Sequence, residues 1–302
     1  MEPVLYLIAR FLIACIRVLP LRWVARLGRC GGALAYWLDA RHRRVALRNL
    51  TMCFGREKSA EEIRAIAQEN FRRIGENFAC AARTSFMDIE QLRAVMHVEG
   101  LQRLYASQRE DHPNIVAAIG HFGNFELYAR FAQFQKGFQS VTTYRSLREP
   151  SLNRLLQSMR ERSGCLYFER RTQGAALKAV MNRTGILLGL LADQHAGDRG
   201  LRIPFFGHDC STSTAPAVFA LRYQCALYTG VCFREGLAQW RFEVGEQIPT
   251  NENGRPRSVA AIMRDVNEAL ETAVRRDPAN WFWVHNRWKP AKPKLSPALS
   301  TA

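Results

Sequence analysis

The sequence predicts an α/β fold: a mostly parallel central sheet flanked by helices, with a helical N-terminal region in front of it. Three observations carry that reading. From about residue 110 onward, apolar runs of strand length alternate with helix-length segments, and that alternation is the mark of parallel strands joined by crossovers. The runs at Ile115–Ile119 and 185–192 are apolar throughout, as strands buried on both faces must be. Before residue 110 the apolar spacing is helical, beginning with a nearly unbroken apolar stretch at 4–21.

Taken in order, residues 4–21 read as an apolar helix interrupted by Arg10 and Arg17. Seven apart, those two share one face, while Val4, Leu5, Ile8, Phe11, Leu12, Cys15, Ile16 and Leu19 cover the other. Two central arginines would cost a spanning helix about 5–7 kcal/mol. The pattern therefore fits a helix lying at a membrane interface or partly inserted, against the plainer alternative of a helix packed on the protein's own core. No basic stretch precedes the apolar run and no small-residue cleavage site follows it, so a cleaved signal peptide is not expected. Residues 1–30 are read as a membrane-associating helical segment. Helix continues over 21–48, with a break expected near Gly31-Gly32. Ser59-Ala60-Glu61-Glu62 has the S-x-x-E form of a capping box and opens a helix to about Thr84, with Ile63, Ile66, Ala67, Phe71, Ile74 and Phe78 along one stripe.

The α/β domain is read as 31–290, with a helical lead-in to about 110. Strands are expected at Ile115–Ile119, Gln139–Tyr144, 185–192, 227–233 and 240–248. Helices are expected at 126–134, 150–163, 175–182, 218–223 and 259–275. Residues 291–302, with Pro293 and Pro297, are expected to be a disordered tail.

With 302 residues, 47% of them hydrophobic, the chain can bury a full core, and 23% charged residues argue against global disorder. A net charge of +16 implies an acidic partner. No zinc-finger spacing, RNP-like strand or other nucleic-acid module is present, so no nucleic acid is expected. The arginines at 17, 22, 26, 29, 41, 43 and 44 border the apolar N-terminus, which favours an anionic membrane surface. Eight dispersed cysteines with no C-x-x-C read as free thiols in a reducing compartment.

The most informative stretch is Gly120-His121-Phe122-Gly123-Asn124-Phe125-Glu126. It puts a histidine at a strand-to-helix turn, five positions before a glutamate. A histidine held by a carboxylate is a general base near neutral pH, able to turn an alcohol into a nucleophile. Gly120 and Gly123 let the backbone turn tightly and approach a substrate. Asn124 is the expected helix N-cap, which would put Glu126 in the first helical turn, where the dipole favours its charge. Two further segments follow strands, at the sheet end where ligands bind. One is Tyr144-Arg145-Ser146, whose arginine suits a phosphate or a carbonyl. The other is Asp193-Gln194-His195, where Asp193 is read as fixing a loop or an arginine near the reacting groups. The spacing of Asp193, His195, His208 and Asp209 matches no standard metal site, so no metal and no cofactor are expected.

In this order the segments resemble the lipid A late acyltransferases, the lauroyl- and myristoyl-transferring family within the lysophospholipid acyltransferase-like group. The resemblance covers nearly the whole chain. It runs from Arg48-Asn49-Leu50 and Cys53-Phe54 through His121 to Glu126, Tyr144-Arg145, Asp193-Gln194, Ile203-Pro204-Phe205-Phe206-Gly207 and Ser211 to Thr214, ending on Trp281 to Lys289. It implies an O-acyltransferase on the cytoplasmic face of a bacterial inner membrane. His121 would be the general base and Glu126 its orienting partner. Arg145, Asp193, Gln194, Gly123 and Asn124 would contact or support substrate. The donor would be an acyl carrier protein or acyl-CoA, and the acidic carrier protein suits the basic surface. The acceptor would be a membrane lipid hydroxyl, such as that of a lipid A precursor. Ser146, His195 and Ala196 depart from the family pattern where the acceptor would bind, which keeps a lysophospholipid or glycolipid acceptor open. A lipid hydrolase using the same histidine on water, or a non-catalytic membrane-binding protein, are the remaining readings; no Gly-x-Ser-x-Gly elbow supports a serine esterase.

Overall fold

The computed structural model describes residues 2–108 and 113–290, so the expected disorder of 291–302 lies outside the described residues. Four helices come first: α1 (Glu2–Val18), α2 (Leu21–Leu38), α3 (Ala40–Phe54) and α4 (Ala60–Thr84). Next are α5 (Ile89–Arg93), β1 (Met96–Glu99) and α6 (Leu101–Gln108). The alternating region contains β2 (Ile115–Ile119), α7 (Leu127–Arg130), β3 (Gln139–Tyr144), α8 (Pro150–Arg160), β4 (Leu166–Glu169), α9 (Gly174–Met181) and β5 (Ile186–Leu191). After the hairpin β6 (Leu201–Phe205) and β7 (His208–Thr212) come α10 (Ala215–Arg222), β8 (Ala226–Gly236) and β9 (Gln239–Ile248). A small hairpin, β10 (Asn251–Glu252) and β11 (Arg255–Pro256), leads to α11 (Val259–Arg276).

Among the described residues the central sheet has seven strands in the order β1-β9-β8-β2-β5-β3-β4. β8, β2, β5, β3 and β4 run parallel. β9 is antiparallel to β8 and carries β1 parallel to itself, so the sheet is mostly parallel, as the alternation predicts. Period-2 side-chain alternation divides the central strands between two apolar cores. Val116, Ala118, Leu188, Leu190, Leu227 and Val231 enter one. Ile115, Leu187, Ala226, Tyr228 and Cys232 enter the other. α11 covers the first face with Ile262, Met263, Val266 and Leu270, and Ser258 caps it by accepting from the Ala261 N–H at 3.1 Å. Each such side chain contributes about 1.5–3 kcal/mol when fully buried.

The expected break at Gly31-Gly32 is absent. α2 continues through it to Leu38, and the chain turns at Asp39, which caps α3 by accepting from the His42 N–H at 3.0 Å. The glycines serve packing. A β-carbon on Gly32 would meet the Phe71 carbonyl oxygen at 2.1 Å, and one on Gly28 would meet that of Gly75 at 2.5 Å. α2 and α4 thus touch backbone to backbone, in a contact only hydrogen side chains permit. α4 itself carries the expected capping box between Ser59 and Glu62.

α1 is helical as expected. Leu7, Ile8, Phe11 and Leu12 are exposed, while Ile16 and Leu19 lean on the second core. No helix among the described residues is long and apolar enough to cross a membrane.

Candidate active site

β2 and β5 are neighbours in register, with Ile119 opposite Leu191. His121 and Asp193 therefore leave the carboxyl end of the sheet side by side. The main-chain N–H of His121 donates to Asp193 Oδ2 at 2.7 Å, and its ring Nδ1 lies 2.7 Å from Oδ1. Trp281 Nε1 donates to the same Oδ2 at 2.7 Å. Asp193 is only 1% exposed. Burial alone would raise its carboxyl, but the imidazole and the hydrogen bonds from His121 and Trp281 outweigh burial and hold it below the ordinary range. An ionised Asp193 accepts from Nδ1–H, which fixes the imidazole tautomer and leaves Nε2 as the basic nitrogen.

Glu126 does not make this contact, so the expected His121–Glu126 pair gives way to His121–Asp193. The turn after β2 is too long and aims Glu126 the other way, toward α8. There it forms a two-point ion pair with Arg160, at 2.6 Å and 3.1 Å. The Arg160 guanidinium also sits over the rings of Tyr167 and Tyr144, at 5.3 and 6.0 Å. Burial works against the Arg160 charge, yet Glu126 raises its pKa above the usual value. Asn124 is not the helix cap either. α7 is a single turn whose cap position is Glu126, with no side-chain cap bond. Asn124 is buried instead, its amide 3.4 Å from Thr84 Oγ1. The dipole argument for Glu126 therefore lapses, and Arg160 supplies the counter-charge.

Gly123 has φ +50°, and a β-carbon there would meet the Cys232 carbonyl at 2.5 Å. Its N–H donates to the Asn280 carbonyl at 3.1 Å, tying the turn to the C-terminal segment. Arg145 is exposed beyond β3, which β5 separates from β2, so the fold does not bring it against His121. Gln194 takes part through its carbonyl, which accepts from Arg287 at 2.9 Å.

A small pocket opens at His121, walled by Ile74, Asn77, Phe78, Gly123, Phe125 and Phe282. The imidazole packs against Phe125 and Phe282, with ring centroids 5.0 and 6.0 Å away. Phe78 closes on both of those rings. The imidazole thus opens on a largely aromatic wall.

The segment Trp281 to Trp288 builds much of this site, and its residues were absent from the sequence-predicted set. Trp281 pairs its backbone with Phe122 and its indole with Asp193. Asn49 holds the carbonyls of Trp283 and His285, and Asn70 those of Ala279 and Trp281. Buried Arg287 donates to the carbonyls of Gln194 and Ser211 and to Thr212 Oγ1. The main-chain N–H of His195 donates to His285 Nε2 at 3.0 Å, and burial depresses His285 to about 4. The sequence signal for these roles is the density of Trp, His and Arg in one short stretch, which also carries part of the resemblance.

His195 and His208 diverge: His208 contacts the Met52 carbonyl, and Asp209 pairs with Arg202. All eight cysteines are free thiols. Burial pushes those of Cys80, Cys165, Cys225 and Cys232 up to about 12, too high for a nucleophile.

Comparison with known proteins identifies the family of the chain. A family model described as bacterial lipid A biosynthesis acyltransferase matches residues 3–290. The lipid A biosynthesis palmitoleoyltransferase of Escherichia coli (strain K12) is 26% identical over 279 residues, covering 90% of this chain and 86% of the relative. The lipid A biosynthesis lauroyltransferase of the same organism is 24% identical, covering 90% and 87%. A lipid A biosynthesis acyltransferase of Haemophilus influenzae is 23% identical, covering 93% and 89%. The chain belongs to the bacterial lipid A biosynthesis acyltransferase family and is an acyltransferase.

Proposed function

We propose that this acyltransferase moves a fatty acyl group from a thioester, carried by acyl carrier protein or CoA, onto a hydroxyl of a lipid A precursor at the cytoplasmic face of the inner membrane. The observation that carries the reading is the His121–Asp193 pair with Nε2 facing the aromatic pocket. Nε2 takes the proton of the acceptor hydroxyl as its oxygen attacks the thioester carbonyl carbon. Asp193 stabilises the imidazolium that forms. The tetrahedral intermediate then expels the thiolate, which takes the proton back from Nε2 and leaves as a thiol. No covalent acyl-enzyme is needed, because the thioester is already activated.

Gly123 gives the acyl chain a close-fitting pocket wall. Asn124 and Gln194 act by position, the first behind that wall and the second through its carbonyl. Arg145 faces solvent beyond the sheet, where it suits the anionic part of a substrate. Glu126 holds Arg160 in place against Tyr144 and Tyr167. The exposed apolar face of α1 and the net charge of +16 support contact with an anionic membrane.

The test supplies an acyl thioester with a labelled acyl group and a lipid A precursor in mixed micelles. Label in the lipid product supports the proposal. Label released as free fatty acid while acceptor is present would replace it with a hydrolase.

A further inference from the structure

α2 carries two apolar faces. One closes on α4 through Gly28, Gly32, Val24 and Ala25. The other stays open: Trp23, Leu27, Leu34, Trp37 and Leu38 are 55%, 59%, 58%, 69% and 73% exposed. At 100° per residue these five, with exposed Cys30, fall on one stripe about 22 Å long at 1.5 Å per residue. Large side chains so exposed on a well-packed helix mark a contact surface.

The charge beside the stripe says what covers it. α2 itself contains Arg22, Arg26 and Arg29 and no acidic residue, and of these Arg29 is turned to Glu69 and Glu76 of α4. Arg26 lies along the stripe's edge, over the Trp23 ring at 5.2 Å. Exposed Arg41 stands beyond its far end, beside a shallow groove lined by Leu34, Leu38 and Asp39, whose carboxylate is held by His42. A second copy of this chain would bring Arg26 and Arg41 against their own counterparts, with Asp39 already held by His42, and like charges oppose that. From this we infer that α2 is a membrane-seating helix. It lies flat, its outward stripe among the acyl chains at the interface and its flanking arginines on anionic headgroups. The footing therefore reaches Leu38 and Arg41, beyond the N-terminal apolar stretch. α4, whose Ile74, Asn77 and Phe78 wall the pocket, packs directly against α2, and packed helices lie about 8–10 Å apart. His121 is thus held close above the bilayer from which the proposed acceptor comes. The inference rests on that membrane-lipid reading.

The test needs no substrate. Trp240, Trp281 and Trp283 are buried, so Trp23 and Trp37 are the most exposed indoles of the six. The full chain is mixed with phosphatidylglycerol vesicles containing brominated acyl chains, and with phosphatidylcholine vesicles as control. Expected results are a blue shift and bromine quenching on the anionic vesicles, with the quenching reduced in both Trp23→Phe and Trp37→Phe. Leu34→Glu with Leu38→Glu should weaken vesicle binding at least about tenfold while leaving the circular dichroism unchanged. Vesicle binding without quenching of Trp37 would overturn the inference, as would no binding at all. So would a wild-type dimer that the double variant splits, because the stripe would then cover a second copy. Loss of acyl transfer from detergent-dispersed substrates would count against the proposed chemistry and leave the seating test intact.

Discussion

The carboxylate of Asp193 holds His121 at two points, accepting from its main-chain N–H and its ring Nδ1, each at 2.7 Å. Ring and backbone are fixed by one side chain from the neighbouring strand. The imidazole has little freedom to turn, and Nε2 is committed to the pocket. The carboxylate is in turn held by Trp281, so strand, turn and C-terminal segment meet at one oxygen pair.

Asp193→Asn is expected to lower kcat by roughly two to four orders of magnitude with little change in KM, because an amide can present its N–H to Nδ1 and stabilise the wrong tautomer. The pH profile of the residual activity should change as well. Steady-state kinetics across pH, with Tm measured alongside, checks this.

Glu126→Gln is expected to act through Arg160 rather than through His121. It leaves a largely buried guanidinium without its counter-charge, at a cost of about 1–3 kcal/mol. Activity should fall while the pH dependence of kcat keeps its wild-type shape. A double-mutant cycle with Arg160→Gln should give a coupling of about 1–2 kcal/mol. A Glu126→Gln profile that moves like that of Asp193→Asn would put Glu126 back beside the imidazole.

Acid should destabilise the protein partly through His285. Its pKa is about 4 in the fold, below the ordinary 6.5, so the unfolded chain binds the extra proton between those values. Stability is therefore lost as pH falls from about 6.5 toward 4. Allowing for partial solvent screening, this residue accounts for about 1–2 kcal/mol of the loss. His285→Gln keeps an acceptor for the His195 N–H and should flatten that part of the Tm-against-pH curve.

Gly32→Val should cost about 3 kcal/mol or more, since its β-carbon would sit 2.1 Å from the Phe71 carbonyl oxygen and force α2 off α4. Gly31→Ala, with nothing within 4 Å of the added carbon, should be neutral or slightly stabilising. Chemical denaturation of the two variants separates a contact glycine from a helix-breaking one.

Much of the sheet was legible because its central strands are buried on both faces and so read as unbroken apolar runs. β1 and β4 were not, being four-residue strands whose apolar content is too short to show a period. The β6–β7 hairpin carries Pro204, which reads as loop until an antiparallel partner is present. Gly31-Gly32 looked like a break because a sequence does not reveal that a facing helix needs the space. At the site, His121 was legible from its glycines and its place after a strand. Its partner was not. Glu126 was close in sequence, whereas Asp193 became close only through the register of β2 and β5, a relation between segments 72 residues apart.

The most direct measurement is the rate at which a labelled acyl group passes from thioester to lipid acceptor in His121→Ala against the wild type, in detergent-dispersed substrate, with matched circular dichroism and Tm. The rate is expected to drop by about three orders of magnitude or more in a protein that is still folded. A folded His121→Ala enzyme working at the wild-type rate would contradict the role of His121 as general base.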